Sequence, residues 1–287
     1  MHSVKKKTIR KTITFSGQTL FTDQEVSVRL IPHLLGEGIT FYRTDLPGSP
    51  SIPAKTEYVQ EGMRTTQIGK EGVFLQTIEH FMAALAAFEI DQLSIEISGS
   101  EFPIFDGSAL FFVKLLEEAG IQELAEDRLS YTLEEPCSVS LGDGYLIALP
   151  SDHLRFSYTL DYPNSPYLRT QYFNTYLTPQ IFKEEIAPCR TFALYEEIAP
   201  LIERGFFKNG ALEHGVVIQG DKLLNPEGAR FSNEMVRHKV LDLIGDLALL
   251  GVSLKAHFIG VKTGHAANHL LAKKIGEKMR KSLRIYE

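Results

Sequence analysis

The stretch Arg237-His-Lys-Val-Leu-Asp-Leu-Ile-Gly-Asp246 places three ionisable side chains on one face of a predicted helix. His238, Asp242 and Asp246 recur at four-residue spacing, so on an α-helix they lie one above another. Apolar side chains occupy most of the remaining positions, and ionisable groups on such a helix are costly to bury without a partner. A metal ion is one such partner, because imidazole and carboxylate both bind zinc. A helix with a solvated polar face is the alternative interpretation.

The composition indicates a chain with a substantial apolar core and few cysteines. Its 287 residues are 44% hydrophobic, which suffices for one large domain or two medium ones. The net charge of −6 disfavours a broad nucleic-acid-binding surface, so we expect no nucleic-acid partner. The two cysteines, Cys137 and Cys189, exclude a disulfide framework and fit a reducing cytosol. No apolar run approaches the roughly 20 residues that cross a bilayer, so we predict a cytoplasmic protein without stable membrane insertion.

The two halves of the chain repeat one order of elements. In the first half, alternating residues before Tyr42 predict three strands, and helical periodicity predicts a helix over Leu75–Phe88 with Thr77 as its N-cap. A strand over Leu93–Ser98 and a helix over Ala109–Ala119 follow. In the second half, the corresponding helix, strand and helix are predicted at Val236–Leu250, Leu254–Val261 and Ala266–Lys281.

This repeat predicts an α+β fold of two similar domains, each a layered sandwich of sheet and helices. The boundary falls after residue 127, which gives domains 1–127 and 128–287. The second copy carries an insertion around 164–232, and long insertions in compact domains are usually functional loops. The first-copy helix carries Glu79 and His80, and its counterpart carries His238 and Asp242. We therefore expect a site where the two domains meet.

The residue types at this interface suit a hydrolytic metal site. Catalytic zinc sites use three protein ligands and keep one position open, and His80, His238 and Asp242 would supply two nitrogens and a carboxylate. A metal ion lowers the pKa of bound water to about 7. Glu79, adjacent to a predicted ligand, could take the proton from that water. The alternative for Glu79 is a first-turn carboxylate that suits the helix dipole.

Three further residues could complete the chemistry. His265 lies in Thr263-Gly-His-Ala266, where the last strand turns into the last helix, and could act as a general acid. Asp246 could accept a hydrogen bond from that imidazole and favour its charged form. Lys239 could place positive charge beside the metal or a substrate phosphate. Read singly, His265 could be a helix-start residue without catalytic duty, and Lys239 could be a surface lysine. The other histidines are interpreted as structural or exposed: His2, His33, His153, His214, His257 and His269.

Several longer motifs closely resemble the zinc-dependent UDP-3-O-acyl-N-acetylglucosamine deacetylases, which act early in lipid A synthesis. They are Thr77-Ile-Glu-His-Phe-Met-Ala-Ala-Leu85, Glu101-Phe-Pro-Ile-Phe-Asp-Gly-Ser-Ala109, Cys189-Arg-Thr-Phe192, Asn225-Pro-Glu-Gly-Ala-Arg-Phe231, Val236–Leu247 and Gly264-His-Ala-Ala-Asn268. The resemblance extends over nearly the whole chain. It implies two similar α+β sandwich domains and hydrolysis of the N-acetyl group of UDP-3-O-(3-hydroxyacyl)-N-acetylglucosamine.

The resemblance also assigns roles to single residues. It implies zinc ligands at His80, His238 and Asp242, a general base at Glu79, and a general acid at His265 with Asp246 as its partner. Thr191 resembles the hydroxyl donor to the oxyanion, and Lys239 a substrate-contacting cation. Phe192, Asp161 and Tyr162 match positions that line the sugar and nucleotide region. The insertion corresponds to an apolar passage for the acyl chain, for which six residues are suited: Ile198, Leu201, Ile202, Phe206, Phe207 and Leu212. Core packing is the competing explanation for those six.

Three segments differ from the family pattern. Where the family usually shows Gly-x-Gly-x-His, this chain has Gly17-Gln-Thr-Leu-Phe-Thr-Asp23. Where the family usually has a Gly-Gly pair, this chain has Asn209-Gly210, and where the family usually has Asn, this chain has His214. The differences affect no predicted ligand or catalytic residue and leave the acyl-chain preference open. The metal could be zinc or iron, and we expect a monomer. Two rival functions are a zinc hydrolase for a different acylated sugar or amide, and a binding protein that has lost activity.

Overall fold

The computed structural model describes residues 4–33, 38–205 and 212–283 of the chain. In the first half, nine strands precede the second helix: β1 Lys5–Ile9, β2 Ile13–Gln18, β3 Glu25–Pro32, β4 Ile39–Arg43, β5 Ser51–Pro53, β6 Val59–Gln60, β7 Gln67–Lys70, β8 Val73–Gln76 and β9 Leu93–Ile97. Helix α1 spans Glu79–Ala87, between β8 and β9, and α2 spans Leu110–Ala119. Strand β10, Ile121–Asp127, follows α2 and pairs with β1.

The described residues of the second half form ten strands, four α-helices and one π-helix, Phe182–Ile186. The strands are β11 Ser130–Thr132, β12 Cys137–Leu141, β13 Gly144–Leu149, β14 Arg155–Tyr162, β15 Arg169–Tyr176, β16 Phe192–Leu194, β17 Val216–Gln219, β18 Lys222–Leu223, β19 Ser253–Lys255 and β20 His257–Val261. The helices are α3 Pro179–Ile181, α4 Tyr195–Glu203, α5 Glu234–Ala248 and α6 His265–Leu283. Across the described residues, no helix combines the length and the apolar character needed to cross a membrane.

The two halves contain five-stranded sheets of the same topology. The first sheet has the order β2-β3-β9-β4-β5 and the second the order β12-β13-β20-β14-β15. In both sheets the third and fourth strands of the order run parallel, and the other neighbours run antiparallel. The predicted α+β fold of two similar halves is confirmed. The boundary after residue 127 stays a prediction; β10 ends at Asp127 and β11 begins at Ser130.

Alternation in the sequence explains how each sheet faces its helices. In β3, Val26, Val28 and Leu30 are buried while the residues between them are exposed, so one face of the first sheet packs inward. In the second half, α5 packs against β14 and α6 against β12. Helix α1 from the first half packs directly against α5 from the second. The two helices that carry the predicted site residues therefore contact each other where the halves meet.

The predicted helix over Leu75–Phe88 begins too early. Val73–Gln76 is strand β8, which pairs with β7, and α1 begins at Glu79. Thr77 is not the N-cap, since Ile78 holds that position without a side-chain capping bond. Thr77 instead has a φ of 63°, and its N–H donates to the carbonyl of Thr66 at 3.0 Å. The apolar spacing of Leu75 and Ile78 fits a helix by period, but tertiary pairing of the hairpin determines the local structure.

Strand β15 lies inside the predicted insertion around 164–232. It is the edge strand of the second sheet and corresponds to β5 in the first. Between β15 and α5, the second half contains α4 and the small sheet formed by β16, β17 and β18. The first half has the small sheet formed by β6, β7 and β8 at the corresponding place, between β5 and α1.

Candidate active site

Three buried side chains converge where α1 meets α5. His80 comes from α1, and His238 and Asp242 come from successive turns of α5. The Nε2 atoms of His238 and His80 lie 3.2 and 3.7 Å from Asp242 Oδ1. One ligand atom from each residue lies within 4.8 Å of the others, so the group could hold a metal ion. The three predicted ligands are thus brought together by the fold.

The surroundings of these residues fit a bound cation. The Nδ1 atom of His238 lies 3.0 Å from the carbonyl oxygen of Cys189, which leaves Nε2 directed at the cluster. Asp242 Oδ1 is buried and has no hydrogen-bond donor among the described residues. Burial lowers the pKa of His80 to about 3, so its imidazole is neutral and can act as a ligand. A buried, unpaired carboxylate oxygen beside two imidazole nitrogens is the donor set expected for zinc.

Glu79 is fixed at the start of α1 by the loop between β6 and β7. Its carboxylate accepts hydrogen bonds from the Thr65 hydroxyl at 3.0 Å and the Thr66 backbone N–H at 3.1 Å. Burial raises the pKa of Glu79 to about 7. Although Glu79 stands in the first turn, it is not a solvated residue that serves only the helix dipole. A carboxylate with this pKa is suited to taking a proton near neutral pH.

His265 is the first residue of α6 and faces Glu79 across the site. Its Nδ1 atom lies 2.8 Å from Asp246 Oδ2, and its Nε2 atom lies 3.8 Å from Glu79 Oε1. Burial alone would lower the pKa of His265, but the Asp246 carboxylate outweighs that effect and raises it to about 9. The protonated imidazole is therefore the main form at neutral pH, and Asp246 lies behind it, outside the group of three ligands.

The sequence-based interpretation missed three residues around Asp246. The Thr66 hydroxyl donates to Asp246 Oδ1, and the Asn268 amide donates to Oδ2 at 2.8 Å. His269 places Nε2 3.2 Å from the Thr66 hydroxyl oxygen and 3.7 Å from Asp246 Oδ1. The spacing of four residues between His265 and His269 could have indicated that His269 lies near the site, whereas nothing in the sequence indicated Thr66. Asp246, His265 and His269 could also hold a metal by distance alone, but the oxygens of Asp246 are already engaged by these hydrogen bonds.

A cavity of about 990 Å³ opens onto these groups. It is also lined by Thr191, Phe192, Asp161, Tyr162 and Lys239, so all the predicted substrate contacts border one space. The rings of Phe192 and Tyr162 meet edge to face, with centroids 6.1 Å apart. The Asp161 carboxylate is engaged by the protein, since it accepts from Thr170 at 2.6 Å and lies 2.9 Å from Lys262 Nζ.

Lys239 contacts the predicted ligand Asp242 directly. Its ammonium group donates to Asp242 Oδ2 at 2.7 Å. Burial would lower the pKa of Lys239, but the Asp242 carboxylate outweighs that effect and raises it. Lys239 is therefore charged and held beside the ligand cluster, not at the outer surface.

Comparison with known proteins identifies the family. The profile of the UDP-3-O-acyl N-acetylglycosamine deacetylases matches residues 6–277. The chain belongs to this family. A Chlamydia pneumoniae protein named UDP-3-O-acyl-N-acetylglucosamine deacetylase is 40% identical over 276 residues, which are 96% of this chain and 98% of its own length. Proteins of that name from Myxococcus xanthus and Trichormus variabilis are 38% and 39% identical, cover 95% of this chain, and are themselves covered to 87% and 98%.

In this member of the deacetylase family, part of the predicted acyl passage borders the cavity. Ile198 and Leu201, from α4, line it. Ile202 and Leu212 are 41% and 42% exposed and are not among the lining residues. The remaining predicted passage residues, Phe206 and Phe207, lie outside the described part of the chain.

The segments that differ from the deacetylase pattern have separate locations. Leu20 and Phe21 line the cavity. Their backbone N–H groups each donate to the buried carboxylate of Glu101 at 2.9 Å. His214 also lines the cavity, with Nδ1 2.7 Å from the carbonyl oxygen of Phe105. Asn209 and Gly210 fall outside the described residues. Two of the three differences therefore border the space that the substrate would enter.

Proposed function

We propose that this chain hydrolyses the N-acetyl group of UDP-3-O-(3-hydroxyacyl)-N-acetylglucosamine, giving the free amine and acetate in an early step of lipid A synthesis. The observation that carries the proposal is the unpaired, buried Asp242 Oδ1 between two imidazoles, with Glu79 and His265 facing each other beside it. Relatives that align along nearly the whole chain carry the name of this deacetylase. We place the reaction in the cytoplasm and expect a monomer.

Zinc is the metal we propose for the site. His80, His238 and Asp242 would hold it, leaving room for water and substrate as in other hydrolytic zinc sites. When bound, zinc supplies Lewis acidity, which lowers the pKa of water and polarises a carbonyl group. Iron is the alternative metal that the same nitrogen and oxygen donors would accept.

Glu79 and His265 would carry out the two proton transfers. Glu79 takes a proton from the water that attacks the amide carbonyl carbon, and the new C–O bond forms as the carbonyl oxygen gains negative charge. Nε2 of His265 then gives its proton to the amide nitrogen, and the C–N bond breaks to release amine and acetate. Nε2 is the donor because Nδ1 is engaged by Asp246. The raised pKa of His265, about 9, keeps that proton available at neutral pH.

The other cavity residues would bind and orient the substrate. The Thr191 hydroxyl would donate to the developing oxyanion, and removal of one such donor typically costs about 10²–10³ in rate. Lys239 has donors beyond the one it gives to Asp242 and would use them on the substrate. Phe192, Tyr162 and Asp161 would contact the sugar and nucleotide, and Ile198 with Leu201 would contact the acyl chain.

The test compares zinc content with acetate release. We expect Glu79→Gln to keep stoichiometric zinc and lose most turnover of the acylated UDP-sugar, and His238→Ala to lose the metal. Exposed His153 provides the control, and His153→Ala should keep both zinc and turnover. A zinc-loaded wild-type protein that releases no acetate from this substrate refutes the proposed activity. Release from another acylated sugar or amide instead would support the rival hydrolase.

A further inference from the structure

A buried ion pair lies directly behind the proposed active site. The side chains of Arg190 and Glu234 are 2% and 0% exposed, and Arg190 Nε lies 2.9 Å from Glu234 Oε1. Charged groups are rarely buried so completely, because the loss of hydration is offset only when geometry and hydrogen bonding are good. No step of the proposed reaction uses either residue.

Both carboxylate oxygens of Glu234 and all three guanidinium nitrogens of Arg190 are hydrogen-bonded. Glu234 Oε1 accepts from the backbone N–H and from Nε of Arg190, at 3.0 and 2.9 Å. Its Oε2 accepts from Nη2 of Arg190 at 3.2 Å and from the N–H of Arg230 at 2.7 Å. Nη1 of Arg190 also donates to Glu227, and Nη2 donates to the carbonyl of Gly228. Glu234 therefore fixes both the side chain and the backbone of Arg190.

The pair joins two segments that carry proposed site residues. Glu234 lies in the first turn of α5, four residues before His238. Arg190 stands between Cys189, whose carbonyl oxygen contacts Nδ1 of His238, and Thr191, which lines the cavity. The same short segment thus orients a metal ligand on one side and presents a hydroxyl on the other.

We propose that Arg190 and Glu234 are positioning residues that hold the Cys189 carbonyl against His238 and so fix the imidazole with Nε2 toward the metal. The inference rests on the proposed function, because it concerns the orientation of a zinc ligand. The carbonyl can accept only from Nδ1–H, which leaves the Nε2 lone pair for the metal. If the Cys189 carbonyl moves, the ring can rotate or change tautomer, and zinc binding weakens.

The experiment measures zinc affinity by competition with a chelator for wild type, Arg190→Lys and Glu234→Gln. Loss of a partner behind a metal ligand typically weakens metal binding by about 10–100-fold, and we expect an effect of that order in both variants. The control is Arg128→Lys, because Arg128 forms an ion pair with Asp91 at 2.7 Å, away from the site, with side chains that are 10% and 14% exposed. It should lower the thermal unfolding temperature but leave zinc affinity within about twofold of wild type.

The outcomes separate the two proposals. If wild type binds no zinc, the proposed function fails. If wild type binds zinc, and folded Arg190→Lys and Glu234→Gln bind it equally well, only the positioning role is overturned. Two variants that do not fold, as judged by circular dichroism, would also overturn it, since the pair would then be a requirement of folding. Weaker zinc binding in folded variants, with the Arg128→Lys control unchanged, supports it.

Discussion

Gly245→Ala should pull the two site-bearing helices apart. Gly245 lies on α5 where that helix touches the start of α1. A Cβ atom at this position would stand 2.1 Å from the carbonyl oxygen of Glu79 and 2.8 Å from its carbonyl carbon, whereas real Cβ atoms essentially never come within 3.0 Å. Both contacts are backbone atoms, so no rotamer change relieves them. The helices must therefore separate by about 1 Å, a displacement of the kind that overpacking causes.

Gly245→Ala should lower both the stability and the activity of the protein. Overpacking costs about 1–3 kcal/mol, and the better helix propensity of alanine offsets up to about 1 kcal/mol, so we expect a net loss of about 0–3 kcal/mol in the free energy of unfolding. Activity should fall more, because Glu79 and His80 would shift relative to His238 and Asp242. A misplacement of about 1 Å can cost about 10²-fold in rate. We expect kcat/KM to fall by that order and zinc to bind more weakly.

The assay combines urea unfolding, zinc titration and acetate release, with Gly276→Ala as the matched control. Gly276 lies inside α6, where an added Cβ would be 3.4 Å from the nearest atom, a side-chain carbon of Leu250. Alanine there should stabilise the protein by up to about 1 kcal/mol and leave turnover unchanged. Wild-type zinc affinity and kcat/KM in folded Gly245→Ala would show that the close approach of the helices does not set the site geometry.

Three further predictions concern single groups. Asp246→Asn removes the charge that raises the pKa of His265. Because the protonated imidazole is the proposed acid, the alkaline limit of kcat/KM should move from near pH 9 toward the ordinary pKa of histidine, 6.5. A pH–rate profile whose alkaline limit does not move would exclude the pairing of Asp246 with His265 as the cause of the raised pKa. Thr191→Val should lower kcat by about 10²–10³ with little change in zinc content, as measured by single-turnover kinetics and metal analysis; wild-type kcat would remove Thr191 from the oxyanion role. Ile198→Phe should narrow the cavity, so that KM rises more for long than for short acyl chains, and an equal change for all chain lengths would place the acyl group elsewhere.

Local spacing in the sequence predicts the metal cluster because its geometry is largely that of one helix. His238 and Asp242 share a helix face at any orientation of α5, and the duplication then predicts that the helix with His80 lies opposite. Spacing alone does not predict the start of α1, because Leu75 continues the helical period although it lies in strand β8 of a hairpin. Strand β8, which pairs with β7, ends at Gln76, and the left-handed backbone of Thr77 then turns the chain from that strand toward α1.

The hydrogen bonds that hold Glu79 and Asp246 in place could not be predicted from the sequence for a different reason. Thr65 and Thr66 reach Glu79 and Asp246 from the loop between β6 and β7, and Thr66 lies 180 residues from Asp246 in the sequence. Hydroxyl residues are common in loops, so neither their type nor their spacing distinguishes them. The Arg190–Glu234 ion pair could not be predicted either, because a charged residue in a sequence motif does not show which residue is buried with it as its partner.

The asymmetry between the two halves explains why a duplicated fold can contain a hydrolytic site. Helices α1 and α5 follow equivalent places in the chain, but α1 contributes one predicted ligand and α5 contributes two. Identical contributions of two ligands from each helix would give four protein ligands, the closed arrangement of structural zinc sites. With three, one position is left for water, and the residue beside the single ligand on α1 is Glu79, the proposed base.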